Sequence, residues 1–227
     1  MIIAVALALL DFAPVFFLSL GLFFLSRLVD RLDSRCRSMA LSGFVLVMLG
    51  ALAGACSNLS LAVSGEAIPL LSTSLYVFCG PGFTLMAGAL FRGWATLQGH
   101  SPARDPWIVP TAISWLFLIA ALYLQASLAG DAWKTALVGF ALAGCAATCL
   151  FAAILGLKRQ LHMAAALFIL NLGGVFVVAG VRSLVSQSVW IQLFDGLLSL
   201  AAQSGFAFAG WRVAAEYHAR VGPTTKA

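Results

Sequence analysis

The stretch LALLDFAPVFFLSLGLFFLS (residues 7–26) contains a single charged residue, Asp11, among its twenty positions. About 20 apolar residues are needed to cross the hydrocarbon core of a bilayer, which is about 30 Å thick. Similar runs recur along the chain, which is 62% hydrophobic and 9% charged, whereas about 25% of residues are charged in a typical soluble domain. The composition therefore predicts a multi-pass membrane protein. Because lipid offers no partners to backbone polar groups, its spans should be helices.

Seven such runs predict an all-α integral membrane bundle of seven transmembrane helices. The predicted spans are residues 2–26, 39–63, 69–91, 108–128, 135–157, 163–181 and 189–213. Residues 1–215 would then form a single transmembrane domain, and residues 216–227 a short cytoplasmic tail. Loops this short leave no room for a sizeable soluble domain.

The basic residues predict the direction of the bundle. Eleven of the thirteen lie in loops after odd-numbered spans or in the tail: Arg27, Arg31, Arg35, Arg37, Arg92, Arg104, Lys158, Arg159, Arg212, Arg220 and Lys226. The other side carries Lys134 and, at a span end, Arg182. Since cytoplasmic loops are enriched in Lys and Arg, we expect the N-terminus outside and the C-terminus in the cytoplasm. The Ala-, Arg- and Gly-rich composition favours a bacterial inner membrane.

Asp11 has two interpretations. If the first helix starts near Ile2, Asp11 lies about 13 Å along it, close to the midplane, where an Asp costs about 2.5–3.5 kcal/mol. It would then need a partner or water. Alternatively, Asp11 is the N-cap of a helix that starts at Phe12, with Pro14 in the first turn.

Other polar residues share the outer half of the predicted bundle. Asp195 lies about 9 Å below the outer end of the seventh span, and Arg182 is the cation at comparable depth. Together with Asp11, these residues predict a pocket open to the outside, and Arg182 is a candidate partner for either carboxylate. The remaining candidates for this pocket are Asn58 and Gln125, with Asn171 and Gln203 deeper. Isolated Asn and Gln side chains also form plain interhelical hydrogen bonds.

Two glycine-containing motifs concern helix shape and packing. Gly80, Pro81 and Gly82 fall near the middle of the third span, where a proline kink forms a candidate hinge. Gly43, Gly50 and Gly54 lie on one face of the second span, which predicts close packing between helices.

The first basic loop, VDRLDSRCR (residues 29–37), carries Asp30 and Asp33. This spacing is similar to the start of the CDP-alcohol phosphotransferase motif, but Ser34 stands where that motif has glycine and no second Asp pair follows. Arg27, Arg31, Arg35 and Arg37 instead favour contact with anionic lipid headgroups.

Two seven-span families are similar in topology only. Microbial rhodopsins need a lysine inside the seventh span, and Lys134, Lys158 and Lys226 all lie outside the spans. Spans one to three and five to seven share orientation, as in SWEET and PQ-loop transporters, but no Pro-Gln dipeptide occurs. The segments GALFRGW (residues 88–94) and FAFAGWR (residues 206–212) are weakly similar in sequence. This similarity fits a plan of two three-span units joined by one span.

No metal site, cofactor or nucleic-acid partner is predicted. Cys145 and Cys149 are spaced like ligands, but His100, His162 and His218 fall at other depths, so the cysteines should be small packing residues. The basic residues are spread over short loops rather than gathered in one patch.

Three function classes remain, and the lipid bilayer is a partner in all of them. The first is a non-enzymatic ligand-binding or sensory protein, or an accessory subunit, acting through a protein partner or a second copy. The second is a small-solute transporter that uses Asp11, Asp195 and a hinge at Pro81. The third is a lipid-modifying enzyme, which is disfavoured because no catalytic set converges at one depth. The ligand would be a small molecule or a lipid.

Overall fold

The computed structural model describes residues 2–66, 68–100, 105–127, 130–184 and 189–220, and these residues form an all-helical bundle without β-strands. Its helices are α1 (Ile2–Leu10), α2 (Phe12–Leu32), α3 (Arg37–Ser64), α4 (Pro69–Leu97), α5 (Ile108–Ser127), α6 (Ala132–Lys158), α7 (His162–Leu184) and α8 (Val189–Arg220). A short 3₁₀ turn, Ser34–Cys36, joins α2 to α3.

Within the described parts of the chain, five segments are long and apolar enough to cross a membrane. They are Val5–Leu32, Ser34–Ser64, Pro69–Leu97, Ile108–Ser127 and Ala132–Lys158. In α7 the apolar part is the shorter stretch His162–Val178, and α8 carries Gln192, Asp195 and Gln203 within its apolar sequence. The structure thus confirms an all-helical bundle in which five of the described segments could cross a membrane, and the seven-span topology stays a prediction.

Six helices form a closed ring. Going round the ring, α2 packs on α3, α3 on α4, α4 on α6, α6 on α7, α7 on α8, and α8 returns to α2. Helix α5 lies outside this ring, against α4 and α6, and α1 packs mainly on α3. The outward face of α5 is apolar and exposed, with Trp115, Leu116 and Leu122 more than 60% accessible. Such a face is typical of contact with lipid.

The tightest junction in the ring joins α3 to α4 through glycines. A Cβ added at Gly43 would lie 2.7 Å from the carbonyl oxygen of Gly82, and one at Gly50 would lie 2.8 Å from that of Leu75. Because both contacts are to backbone, neither helix can accommodate a side chain there without moving. Close approach at small residues is the usual way in which membrane helices gain van der Waals contact.

The two halves of the ring, α2–α4 and α6–α8, have the same internal order of contacts. A Cβ at Gly21 of α2 would meet Phe206 and Ala207 of α8, and a Cβ at Gly144 of α6 would meet Phe83 and Thr84 of α4. Adding 123 to a residue number in the first half gives its counterpart in the second: Gly21 corresponds to Gly144, Phe83 to Phe206 and Thr84 to Ala207. This relation is hereafter the constant shift. This is the pattern that an approximate two-fold rotation of two three-helix units produces. Helix α5 is then the link between the units.

The weak similarity between residues 88–94 and 206–212 does not follow this shift. It pairs Trp94 with Trp211, whereas the constant shift pairs Trp94 with Tyr217. Both Trp94 and Tyr217 lie beside the C-terminal end of α6, since Lys158 lies 5.9 Å above the ring of Trp94 and Arg159 lies 4.4 Å above that of Tyr217. Tyr217 also donates a hydrogen bond to the carbonyl oxygen of Leu155 at 3.4 Å.

These contacts gather the ends of α2, α4, α6 and α8 at one end of the bundle, hereafter the basic end. Arg31 donates a hydrogen bond to His218 at 3.3 Å, which ties the end of α2 to the end of α8. Arg37 forms an ion pair with Asp30 at 3.8 Å across the turn between α2 and α3. Arg27 lies over the ring of Phe23 at 5.3 Å. The end of α2 and the first basic loop are therefore held by contacts within themselves and by a contact with α8.

Candidate functional site

The ring of six helices surrounds a cavity of about 250 Å³, hereafter the central cavity. All six helices of the ring contribute to its wall. The lining residues are Leu18, Ala51, Leu75, Tyr76, Cys79, Phe83, Val138, Ala141, Leu142, Cys145, Asn171, Gly174, Val175, Val178, Ser199, Ala202, Gln203 and Phe206.

The constant shift between the two halves also relates opposite walls of the central cavity. Five pairs of lining residues obey it: Leu18 and Ala141, Ala51 and Gly174, Tyr76 and Ser199, Cys79 and Ala202, and Phe83 and Phe206. The cavity therefore lies between the two three-helix units. It is mostly apolar, and its clearest departures from that character are two carboxamides contributed by α7 and α8.

Asn171 is the most buried of these polar residues, with 2% of its surface exposed. Its amide nitrogen lies 3.6 Å from the sulfur of Cys149 and donates to it. Its Oδ1 atom, like the Oε1 atom of Gln203, is buried and has no hydrogen-bond partner among the described residues. Leaving a buried acceptor unpaired costs about 1–3 kcal/mol, so both oxygens are unfavourable features of the cavity wall.

Three polar residues of α8 lie in a row that ends at Gln203. Asp195, Ser199 and Gln203 are spaced by four residues, which places them on one face of the helix. Ser199 and Gln203 line the central cavity, and Asp195, with 7% of its surface exposed, lies one turn beyond Ser199. The sequence prediction named Asp195 and Gln203 but missed Ser199, although the four-residue spacing connects the three.

Asp11 does not act as a helix cap. Its backbone angles are helical (φ −62°, ψ −19°) and its side chain makes no capping hydrogen bond, so α1 passes into α2 without leaving the helical region. The Oδ2 atom of Asp11 instead accepts a hydrogen bond from the amide nitrogen of Asn58 on α3 at 2.7 Å. Each interpretation of Asp11 is therefore met in part: α2 begins at Phe12, but the side chain of Asp11 does not cap it and instead has an interhelical partner.

The Asp11–Asn58 pair lies above the central cavity, at the end of the bundle opposite the basic end. Asp11 is seven residues before Leu18, and Asn58 is seven residues after Ala51. Because seven residues make two helical turns, each member of the pair lies about 10 Å from a cavity-lining residue on the same face of its helix. A Cβ at Gly196 of α8 would lie 3.6 Å from Leu10. Asp195 therefore belongs to the same region as the pair.

The remaining candidates are placed differently. Gln125 is exposed on α5, outside the ring, and the structure does not bring it to the cavity. Arg182 belongs to α7, but its side chain lies outside the described residues. Pro81 stands inside α4, which continues from Pro69 to Leu97 as one helix. Its neighbour Gly80 faces α6, where an added Cβ would collide with the ring of Phe140.

Among the described residues, no group of three His, Cys, Asp or Glu side chains comes close enough to hold a metal ion. Cys145 and Cys149 are buried free thiols on α6. Asp33 in the first basic loop accepts a hydrogen bond from the backbone of Arg35 at 3.1 Å. Asp30 is paired with Arg37.

The chain matches no known protein-family model, no curated protein and no solved structure.

A double-mutant cycle tests the Asp11–Asn58 hydrogen bond. Asp11→Ala and Asn58→Ala should each lower the free energy of unfolding in detergent, and the double variant should lose less than the sum of the two. We expect a coupling energy of about 1 kcal/mol. This value lies between the average energy of an interhelical hydrogen bond in a membrane and that of a hydrogen bond to a charged acceptor. Gln125→Ala is the control and should change stability little. Strict additivity of Asp11→Ala and Asn58→Ala would show that the two side chains do not interact.

Proposed function

We propose that this chain is a multi-pass protein of the bacterial inner membrane that binds a small molecule in its central cavity. The observation that carries the proposal is the cavity itself, which is mostly apolar and has the carboxamide residues Asn171 and Gln203 in its wall. Ligand sites are typically concave and mostly apolar, with a few polar groups that fix orientation. The central cavity has this composition.

The volume of the cavity suits a small ligand. A dry apolar cavity of about 150 Å³ is enough to bind benzene, and the central cavity holds about 250 Å³. A ring with a short chain, or a comparable segment of a lipid, therefore fits. Its apolar surface would be buried against leucine, valine and phenylalanine side chains, at about 25 cal/mol for each Å² removed from water.

In this proposal all seven predicted spans cross the membrane, with the N-terminus outside and the basic end in the cytoplasm. The Asp11–Asn58 pair and Asp195 then lie on the external side of the cavity. Arg27, Arg31, Arg35 and Arg37 lie at the cytoplasmic surface, where clusters of basic residues attract anionic headgroups. The ligand would reach the cavity from the external half of the bundle.

The protein would act as a sensor or accessory subunit through another chain. Its described helices are connected by short loops and turns, so a signal has to leave through helix faces or through the basic end. The exposed apolar surface of α5 offers such a face, because α5 contacts the ring only through α4 and α6. A partner in the membrane, or a second copy, would dock there in competition with lipid.

Transport is the second candidate function, and the arrangement of the ring favours it. Transporters are often built from structural repeats, with the substrate site at the interface between the repeats near the midplane. The constant shift between opposite cavity walls fits such a plan. In that case Asp11 and Asp195 would belong to the substrate pathway, and Pro81 would act as the hinge of α4.

Site-directed labelling tests the proposed orientation. Single cysteines are introduced at Glu66, between α3 and α4, and at His100, after α4, in a variant whose exposed Cys56 is replaced by alanine. A membrane-impermeant maleimide should label Glu66→Cys in intact spheroplasts and His100→Cys only after lysis, since eleven of the thirteen basic residues lie on the side of His100. The opposite labelling pattern would reverse the proposed topology.

Filling the cavity tests the proposed binding function. Ala51 lines the cavity, so Ala51→Phe should displace any small molecule that copurifies with the wild-type protein, detected by mass spectrometry after solvent extraction. Ala166→Phe, on an exposed position of α7, is the matched control and should retain it. Equal loads of the same molecule in the three proteins, or no specific molecule in the wild-type protein, would contradict the proposal.

The same molecule separates the two candidate functions. Its uptake into proteoliposomes that contain only this chain would establish transport. Absence of uptake, together with a stoichiometric partner chain copurified from native membranes, would establish the sensory or accessory role.

A further inference from the structure

We infer that a groove between α7 and α8, at the basic end of the bundle, binds an anionic phospholipid. The lipid phosphate lies at Arg212, and part of one acyl chain lies in the groove. This groove, hereafter the α7–α8 groove, has a volume of about 200 Å³ and is lined by Leu161, Met163, Ala164, Phe208, Trp211 and Arg212. It shares no lining residue with the central cavity, so the inference goes beyond the proposed binding function and does not depend on it.

The wall of the α7–α8 groove is apolar apart from one cation. Phe208, Trp211 and Arg212 lie on one face of α8, because they are spaced by three and four residues. The rings of Phe208 and Trp211 are 5.8 Å apart, and both side chains are exposed, as is Met163 on α7. Tryptophan is enriched where a membrane meets water. The groove therefore combines an apolar surface for an acyl chain with one positive charge.

The constant shift shows that the equivalent place in the first three-helix unit is closed. Met163 and Phe208 have 69% and 43% of their surface exposed, whereas their counterparts Ala40 and Leu85 have 0% and 7%. The counterpart of Arg212 is Ala89, which is fully buried. The same region of the fold is thus buried in one unit and open in the other.

Protein covers this place in the first unit. A Cβ at Gly88, the counterpart of Trp211, would lie 2.5 Å from Cγ of Pro110 on α5. A Cβ at Gly43 would lie 3.3 Å from that of Leu85, so α3 closes onto α4. In the second unit the described helices leave Met163, Phe208 and Trp211 exposed. The α7–α8 groove therefore opens to the surroundings of the bundle, which for a multi-pass protein are lipid.

The residues of the groove favour a lipid over a helix as its occupant. Where Gly88 lets Pro110 approach, Trp211 presents a large indole ring. Ala89 is replaced by Arg212, whose charge a second copy would have to bury. A helix with its side chains is about 10 Å wide, whereas an acyl chain is thin. Since a cavity of about 150 Å³ holds the six carbons of benzene, the groove accommodates a chain segment of about eight carbons.

Arg212 gives the groove its charge complementarity. Its side chain is exposed, and a guanidinium group binds phosphate through two parallel hydrogen bonds. None of the described residues that line the groove is acidic, and Glu216, one turn further along α8, is not among them. Basic pockets between membrane helices bind anionic lipid headgroups. A zwitterionic lipid carries an ammonium group that competes with Arg212 for its own phosphate, so phosphatidylglycerol should be preferred to phosphatidylcholine.

Photoactivatable lipids test this inference. The full chain is reconstituted in phosphatidylcholine vesicles that contain a trace of either phosphatidylglycerol or phosphatidylcholine with a diazirine in the acyl chain. After illumination, labelled peptides are quantified by mass spectrometry. We expect residues 161–164 and 208–212 to be labelled about fivefold more by the phosphatidylglycerol probe, the effect of one basic residue near an anionic lipid. The exposed face of α5 should be labelled equally by both probes.

Variants at exposed positions assign the effect to the groove. Arg212→Gln should remove the preference for phosphatidylglycerol, while both probes still label the groove because its apolar wall is unchanged. Arg27→Gln, which removes a charge from α2, is the matched control and should keep the preference.

A second pair of variants tests the place of the acyl chain. Met163→Trp should lower the labelling of residues 208–212 by both probes, because the larger side chain occupies the groove. Ala166→Trp, on the same helix but outside the groove, should leave that labelling unchanged.

Three results would overturn the inference. They are equal labelling of the groove by the two probes in the wild-type protein, a preference that survives in Arg212→Gln, and no labelling of the groove by either probe. In the last case a Phe208→Cys variant, with Cys56 replaced by alanine, would show whether a bifunctional maleimide joins the grooves of two copies. Such a crosslink would make the groove a protein contact instead of a lipid site.

Discussion

The close approach of α4 to its two neighbours in the ring determines the rest of the architecture. On one side, Gly82 meets Gly43 of α3 at backbone distance, and on the other side Gly80 and Gly144 allow α6 to approach. Lipid supplies no hydrophobic force between helices, so contact of this kind is a principal source of their association. The central cavity lies directly beside these contacts, since Leu75, Cys79 and Phe83, which the glycines of α3 and α6 approach, also line it.

Because the interior of a bilayer lacks water, polar side chains inside the bundle need protein or ligand partners, and their contacts are informative about function. The carboxylate of Asp11 is stabilised because Asn58, on the neighbouring helix α3, donates a hydrogen bond to it. Asn171 and Gln203 are different, because each has a buried oxygen without a hydrogen-bond partner among the described residues, in a side chain of the cavity wall. Polar groups buried in a membrane protein are costly and tend to be functional. The two carboxamides therefore connect the packing of the bundle to its proposed ability to bind a ligand.

Hydrophobic runs predicted the helices well, because hydropathy depends on local composition. Some helices extend beyond their predicted spans, and α8, for example, continues to Arg220. This is because helical hydrogen bonds can continue beyond the membrane, whereas hydropathy identifies only the apolar part of a helix. Neighbours in the ring were not predictable from composition. Contacts such as that of Gly21 with Phe206 join helices far apart in the sequence. For this reason the predicted pocket included Gln125, which lies on the outer helix, and omitted Ser199 and Tyr76.

The central claim is that the central cavity is a ligand site, and an experimental density map of the protein purified in its native lipids tests it most directly. We predict a cavity between the two three-helix units that contains density for a small molecule, in contact with the side chains of Asn171 and Gln203. A cavity closed by side chains, with the two carboxamides hydrogen-bonded to neighbouring helices, would contradict it.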